Sequence, residues 1–392
     1  MRHPVLDHWS EISTQAAPEL FRPKNVDALQ KLLQSESGAC LLGGNGSKWW
    51  LGNTPYPVRF CVDLRGLDRV IDYSPGDLTV TVQAGMPAAT LGGVLAEHGQ
   101  TLAVDPPMSG KDSVGGMIAV GISGPLQQQY GTLRDKVLGM TVMLADGTIT
   151  KAGGKVVKNV AGYDLCKLYT ASMGTLAVIL EVTLRVFPLW QKTRSFTLPA
   201  KDRRESKEIF LELRRLEVQP AGVVFLQAKE QQPVLAIRFL GGEGAVDDQL
   251  ARLMNRFPEG QVESGDLVAA AVASFYNAPV PVRLRAESLL SSIADAAEEI
   301  GSEIDSTGSI LDFSSRRYCV AAAAVSAETL QAVRSKLRRL DAALIVEKAP
   351  LDLKQQIDVW GSSRGDLALA KKIRATLDPQ GRFNPGIYVA GV

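Results

Sequence analysis

A short apolar run, ACLL at 39–42, leads directly into GGNGSK and then into two adjacent tryptophans, Trp49 and Trp50. From Gly43 to Ser47 the side chains shrink to Gly, Asn and Ser, so another group can approach the backbone closely. Large rings at once behind such a loop call for a packed wall. The chain must therefore form a strand that ends in a bare loop and a core that backs it. The segment before it supports this: NVDALQKLLQSESG offers Asn25 as a helix N-cap, an apolar stripe at Val26, Leu29, Leu32 and Leu33, and Gly38 as a stop.

Two standard phosphate loops fail here. A P-loop needs Gly-Lys-Ser/Thr, but Lys48 follows Ser47, and the later Gly110-Lys111 is followed by Asp112. A Rossmann fingerprint needs a third glycine three positions after Gly46, where Trp49 stands. What remains is either an ordinary glycine-rich turn or a nest of successive amides converging on an anion. A second stretch, residues 105–131, is also rich in Gly, Pro and Ser, with SVGGM at 113–117 and Ser123-Gly124. It shows no period that predicts regular structure, and loops of that length in a compact domain are usually functional. Two cradles suit one extended ligand such as a dinucleotide.

Between these loops the pattern is that of strands and hairpins. RVIDY-SPGD-LTVTVQAG alternates around a Pro-Gly turn, and VLGMTVMLADGTITKAG turns on Asp146-Gly147. PAATLGGVLAEHG reads as a helix, and ILEVTLRVFP as a closing strand ended by Pro188. Beyond about 195 the texture changes to strands such as GVVFLQA, PVLAIRFL and YCVAAAAV mixed with amphipathic helices, which predicts an antiparallel α+β layer. In the last of these helices Arg334, Lys336, Arg338 and Arg339 read as a solvated face.

Composition removes several classes of function. At 392 residues two domains are favoured over one. A net charge of +1 with no block of like charge leaves no footprint for nucleic acid. Four scattered cysteines form no CxxC pair, so neither a disulfide framework nor a zinc or iron–sulfur site is expected. No stretch reads as a membrane span or an export signal, and a cytoplasmic location is expected, with any membrane association left to partner subunits.

Taken together, GGNGS, DPPMSGKDSVGGM, YGTLRDKVLGMTVMLADG, VVKNVAGYDLCKLYTASMGTLAVILEVTLRVFP and DPQGRFNPG carry a resemblance that no single loop does. In order and spacing the chain resembles the flavoprotein family typified by vanillyl-alcohol oxidase and p-cresol methylhydroxylase. Within it, KNVAGYDL and the Trp-Trp-x-Gly continuation are most similar to the branch that holds the FAD-binding subunits of glycolate oxidase and the D-lactate dehydrogenases.

The resemblance implies an α+β fold: a two-part FAD-binding domain over 1–190 (lobes 1–75 and 76–190), a smaller antiparallel α+β domain over 191–350, and a C-terminal segment, 351–392, returning to the flavin site. It implies that Gly43, Gly44, Asn45, Gly46 and Ser47 hold the FAD pyrophosphate, with Lys48 placed to add a cation. Pro106, Ser109, Ser113, Gly115, Gly116, Ser123 and Gly124 line the second cradle, Ile179 meets the adenine end through its backbone, and Asn384 approaches the isoalloxazine ring. On spacing alone, Asn384-Pro385-Gly386 reads better as a plain turn. Relatives with tethered flavin carry a histidine where Ser47 stands, so the FAD is expected to be non-covalent. Tyr163 and Asp164 fall in a run the resemblance puts beside the flavin. ASMGTLA replaces the GSEGTLG of catalytic relatives, so Met173 stands in place of a carboxylate.

The resemblance also implies 2-hydroxy acid chemistry, glycolate to glyoxylate, which needs a group to take the hydroxyl proton. The three histidines are His3 and His8, at a terminus expected to be mobile, and His98 at the end of a surface helix; residues 99–392 contain none. Arg283, Arg285, Arg316, Arg317, Tyr318 and Glu347 are available for substrate or proton handling but read better as structural. The expectation is an FAD-binding subunit that depends on a homologous catalytic flavoprotein and an iron–sulfur subunit. The alternatives are an autonomous FAD-dependent 2-hydroxy acid dehydrogenase and a scaffold with no redox role.

Overall fold

The computed structural model describes residues 4–107, 112–154, 163–229, 231–361 and 366–391. The first unit is a parallel sheet of β1 (Glu19–Phe21), β2 (Cys40–Gly43) and β3 (Phe60–Asp63) in the order β1-β3-β2. Helix α1 (Val26–Ser35) covers it: the Asn25 side chain accepts from the Ala28 amide at 2.8 Å, and Leu29 and Leu33 are buried against β2 and β3. Parallel strands need a crossover, and α1 supplies it, which carries β2 straight into the glycine loop.

The second sheet is antiparallel, with β4 (Val70–Ser74), β5 (Thr79–Gln83), β6 (Val137–Met143), β7 (Ile149–Gly153) and β8 (Val178–Arg185) in the order β4-β5-β8-β6-β7. Both expected hairpins form. The strand read as closing the domain, β8, lies in the middle of the sheet. All five residues of β5 are buried although they alternate apolar and polar. The polar side is satisfied internally, for instance by the Thr81–Thr183 hydroxyl pair at 2.9 Å. Helix α2 (Ala88–Ala96) packs Leu91 and Leu95 into this core. The stretch judged aperiodic contains α3 (Val114–Val120), capped by the Ser113 hydroxyl; its two glycines had hidden it.

The third sheet has eight antiparallel strands: β9 (Lys192–Pro199), β10 (Gly222–Ala228), β11 (Val234–Gly241), β12 (Gln261–Ser264), β13 (Val282–Glu287), β14 (Ser306–Asp312), β15 (Arg317–Ala322) and β16 (Ala343–Lys348). Their order is β12-β9-β11-β10-β14-β15-β13-β16. One face packs helices α4 (Arg203–Arg215), α5 (Glu243–Arg256), α7 (Ile293–Glu303) and α8 (Ala327–Leu337); the other packs α6 (Leu267–Asn277). Val223 and Phe225 of β10 face the first set, and Val224 faces the second. Burial on both sides explains why these strands read as continuous apolar runs. Arg334 departs from the solvated face expected of α8: its guanidinium donates to Leu344 O at 3.3 Å and Val359 O at 3.1 Å.

The α6 face joins the units. Val224, Ala236, Ile310 and Cys319 of the sheet meet Val268, Val272 and Tyr276 of α6 together with Trp50, Leu51, Ile122 and Met173. Arg238 crosses the junction to Asp105 at 2.6 Å, and Arg317 donates to Ser123 O at 2.6 Å. The four cysteines are free and buried, and no helix among the described residues is long and apolar enough to cross a membrane.

Candidate functional site

The glycine loop leaves β2 at Gly43 and forms one wall of a cavity. Lining it are Gly43 to Trp49 of this loop, Ser113, Gly115 and Gly116 of the second loop, Ile179 of β8, and Asn384 of the C-terminal segment. Thus the structure brings Gly43, Gly44, Asn45, Gly46, Ser47, Lys48, Ser113, Gly115, Gly116, Ile179 and Asn384 to one place. Among the described residues, the backbone N–H groups of Asn45, Gly46 and Ser47 donate to no protein acceptor. Gly46 lies at φ +66°, a region glycine enters freely.

The two loops touch. A Cβ at Gly44 would stand 1.9 Å from Ser113 Oγ, so only glycine lets the loop lie against the start of α3. The second loop is spent differently from the first. Gly115 N donates to Ala84 O at 2.7 Å and Gly116 N to Ser113 Oγ at 3.3 Å. It brings small surface to the cavity, while its amides hold the fold.

Asp112 ties the loops together. Ser47 Oγ and Lys48 Nζ both donate to its Oδ1, and its Oδ2 has no partner among the described residues. Burial lowers the Lys48 pKa, and the Asp112 carboxylate pulls it back up. The Lys48 charge is therefore neutralised within the protein. Trp49 and Trp50 divide the work expected of them. Trp50 is buried with the Arg283 guanidinium 5.6 Å above its ring, whereas Trp49 lines the cavity and stacks on His8 at 4.1 Å.

That stack corrects the expectation of a loose terminus. Trp9 is buried, its Nε1 donates to Gln15 O at 2.7 Å, and Val5 and Ile12 line the cavity. His3 lies outside the described residues. His98 packs edge-on against Tyr73.

The C-terminal DPQGRFNPG is a clamp rather than a plain turn. Asp378 accepts from the amides of Arg382 at 2.9 Å and Phe383 at 2.8 Å. The Arg382 guanidinium donates to Leu33 O, Glu36 O and Ala145 O, at 3.0, 2.7 and 2.6 Å, closing off the carbonyl end of α1. Asn384 accepts from Leu42 N and donates to Met173 O, both at 2.7 Å, so its amide joins β2 to the turn that carries Met173 and Gly174. Ile179 sits where β8 carries a register shift against β6, with Thr141 opposite Glu181 and Val142 opposite Ile179. Bulges of this kind re-aim a strand beside a site.

Several expected residues stand elsewhere. Ser123 and Gly124 do not line the cavity: the Ser123 hydroxyl accepts from Leu133 N at 2.9 Å, and Gly124 is needed because a Cβ would meet Asp105 O at 1.9 Å. Pro106 is buried away from the lining, and Ser109 lies outside the described residues. Residues 158–162 of the KNVAGYDL run also lie outside them; Tyr163 is 95% exposed and the Asp164 carboxylate caps a short helix at Lys167. Arg283, Arg285, Tyr318 and Glu347 are buried in the third sheet and its flanks. Arg283 donates to Tyr276 O at 3.1 Å, Arg285 pairs with Glu347 at 2.7 Å, and Tyr318 OH accepts from Arg203 at 2.8 Å. Arg316 occupies a turn at φ +55°, and Arg317 bonds Glu287 at 2.8 Å.

The sequence reading missed Met173, Gly174 and Lys354 as lining residues. Lys354 reaches the cavity from α9 (Leu351–Gln356), and its Nζ donates to Trp50 O at 2.5 Å and Gly52 O at 3.1 Å. No local pattern marks it, because its acceptors lie about 300 positions earlier in the chain.

Residues 18–153 match the FAD binding domain, and the chain carries that domain, with FAD as its cofactor. The chain is 34% identical to glycolate oxidase subunit GlcE of Escherichia coli over 233 residues, 57% of this chain and 63% of that protein. It is 34% identical to D-lactate dehydrogenase of Archaeoglobus fulgidus over 54% of this chain and 47% of that one, and 30% identical to glycolate oxidase subunit GlcD of Bacillus subtilis over 44% and 38%. The aligned part thus spans less than two thirds of each of these relatives. In three dimensions the chain superposes on alkyldihydroxyacetonephosphate synthase with a TM-score of 0.68 at 16% identity, covering 93% of this chain and 75% of that one. That likeness extends the p-cresol methylhydroxylase-type α+β fold over nearly the whole chain.

The residues present fit this cofactor. Unpaired amides in a loop of Gly, Asn and Ser suit a pyrophosphate, and the apolar lining from Leu41, Val62, Ala119 and Ile179 suits flat rings.

Proposed function

We propose that this cavity holds FAD non-covalently and that the chain is the FAD-binding subunit of a complex that oxidises glycolate to glyoxylate, working with a homologous catalytic flavoprotein and an iron–sulfur subunit. The observation that carries the reading is the run of free amides at Asn45, Gly46 and Ser47 in a loop that lines the cavity and is braced by the Ser47 bond to Asp112. The likeness to GlcE and GlcD supports this substrate class and a multi-subunit organisation.

When bound, FAD supplies a two-electron acceptor for the alcohol carbon. The chain's own residues bind and shield. The amides at 45–47 receive the pyrophosphate, Ser113 and Gly116 bound it on the other side, and Val5, Ile12 and Trp49 keep water from one end. Asn384 holds β2 and the Met173 turn at a fixed separation. Ser47 has no nucleophilic ring nitrogen with which to tether the flavin.

The titratable side chains lining the cavity among the described residues are Lys48, Lys354 and Cys61. Lys48 is paired to Asp112, and burial pushes the Cys61 thiol up to about 12. Neither of these two accepts a hydroxyl proton near neutrality, and the Lys354 ammonium, brought down to about 8, is held by the Trp50 and Gly52 carbonyls to which it donates, so we assign the chemistry to the catalytic flavoprotein.

The test is to purify the chain alone, release its flavin with acid, and mix the loaded protein anaerobically with glycolate. Yellow colour in the acid supernatant and an unbleached flavin band, with dye reduction only in the reconstituted complex, are expected. Rapid bleaching of the isolated chain overturns the division of labour, and flavin left on the acid pellet overturns non-covalent binding.

A further inference from the structure

Among the described residues two lysines line the cavity, and one of them is neutralised by a carboxylate. Lys48 is bonded to Asp112. Lys354 has no carboxylate within ion-pair distance among the described residues; its Nζ donates to two backbone carbonyls, Trp50 O and Gly52 O. An ammonium group has three N–H donors, so one remains. The residue is 4% exposed, and burial alone brings its pKa down to about 8. A buried, unneutralised cation is costly, and such groups are kept where a ligand completes the charge balance.

We propose that Lys354 supplies the positive charge that meets an anionic group of bound FAD, either a pyrophosphate oxygen or the negative charge the ring system takes on when reduced. The inference rests on the reading that FAD occupies this cavity. Lys354 comes from the segment after the eight-stranded sheet, so the cation is delivered only when that segment docks on the Trp50–Gly52 turn. The Lys48 cation singled out by sequence is instead a brace for the two loops. The split has a chemical logic: an ammonium already paired to a carboxylate adds little net charge to a ligand, whereas an unpaired one in a dry site adds its full field.

The experiment compares wild type with Lys354→Met, Lys354→Gln and Lys354→Arg, each checked for folding by circular dichroism. Dissociation constants for FAD, ADP and riboflavin are measured by fluorescence titration of the flavin-free chain, and the midpoint potential of the loaded chain by dye equilibration. If the charge meets the pyrophosphate, FAD and ADP bind at least about tenfold more weakly in the Met and Gln variants, riboflavin is unaffected, and Arg recovers part of the loss. If it meets the ring, FAD affinity holds while reduced relative to oxidised binding falls by a similar factor, so the potential becomes more negative. Folded Met and Gln variants that match wild type in all these measurements overturn the proposal and leave Lys354 as a brace. Should both fail to fold, acetylation of Lys354 in the wild type decides: FAD must slow it more than about tenfold, and equal rates with and without FAD overturn the proposal. Failure of wild type to bind FAD at all would instead remove the functional reading beneath it.

Discussion

Gly44→Ala tests how the cavity is built. A Cβ there would lie 1.9 Å from Ser113 Oγ and 2.9 Å from Ser113 Cβ. Either the loops part by more than about 1 Å, or the hydroxyl swings away and gives up the Gly116 amide it now accepts at 3.3 Å. Overpacking of this kind costs about 1–3 kcal/mol. Because the same contact sets the width of the cradle, FAD affinity should fall about 10- to 100-fold, at roughly 1.4 kcal/mol per tenfold. Ser113→Gly removes both obstructing atoms and by itself costs about 0.5–1 kcal/mol in backbone entropy plus a few tenths for the weaker cap.

The double variant should then be more stable than the sum of the singles predicts, with a coupling of about 1–2 kcal/mol, inside the range seen for residues in contact. Urea denaturation of the flavin-free chain gives the stability cycle, and quenching of FAD fluorescence gives the matching affinity cycle. Additivity within about 0.5 kcal/mol would refute the contact, since independent sites behave that way. Gly76, whose added Cβ meets nothing within 4 Å, is the control: Gly76→Ala should leave FAD affinity unchanged.

Three further outcomes follow from the same geometry. Lys354 has its folded pKa lowered to about 8 from 10.5, so its charged form penalises the flavin-free fold below pH 8 and the penalty lifts as pH rises through 8 toward 10.5. Wild type should therefore gain stability relative to Lys354→Met between pH 7 and 10, by up to about 3 kcal/mol, and parallel pH curves in denaturant melts would contradict it. Trp9→Ala should loosen the N-terminal cover and raise the FAD dissociation rate measured by stopped flow, because Trp9 is buried beside Ile12 and Leu41; an unchanged rate would dissociate that cover from the cavity. Gly46→Asp should empty the site, since it sets a carboxylate against a pyrophosphate at the centre of the free amides, and a folded variant with wild-type flavin content would move the phosphates elsewhere.

What could be read in advance was whatever local periodicity and backbone chemistry fix. Asn25 and the Leu29/Leu33 stripe announce α1, and Asp146-Gly147 announces the β6–β7 turn, where the Asp146 carboxylate accepts from Thr148 N at 2.8 Å. The glycine loop was legible because its composition is its mechanism. Helix α3 was not, because Gly115 and Gly116 are weak helix formers and stand there for close approach: a Cβ on Gly115 would meet Ala84 Cβ at 2.6 Å. Ser123 and Gly124 looked like Gly115 and Gly116 in one dimension, yet one is spent on Leu133 N and the other on clearance from Asp105. Small residues in a loop mark a close approach without saying to what. Lys354 and the His8–Trp49 stack depend on segments distant from the loop, and no window on the sequence contains both partners.

The buried charges show how the parts of this chain are set for different tasks. Arg283, Arg285, Arg317, Tyr318 and Glu347 were available by sequence to handle a hydroxy acid, and each is instead bonded within the eight-stranded sheet, to its flanks or to the flavin-binding part. Arg238 spans Asp105 and Asp266 at 2.6 and 2.9 Å, and Arg317 bonds the Ser123 carbonyl. Freeing Arg238, or either member of the Arg285–Glu347 pair, would leave a buried partner without its counter-charge, which typically costs about 3–5 kcal/mol. A domain that spends its cations on the junction makes a rigid back wall for the cavity. Trp50, with Arg283 over its ring and Lys354 on its carbonyl, is where that wall meets the glycine loop. The same commitment that fixes the cradle keeps those side chains out of the cavity, whose wall is left to the glycine loop, the start of α3 and the C-terminal clamp.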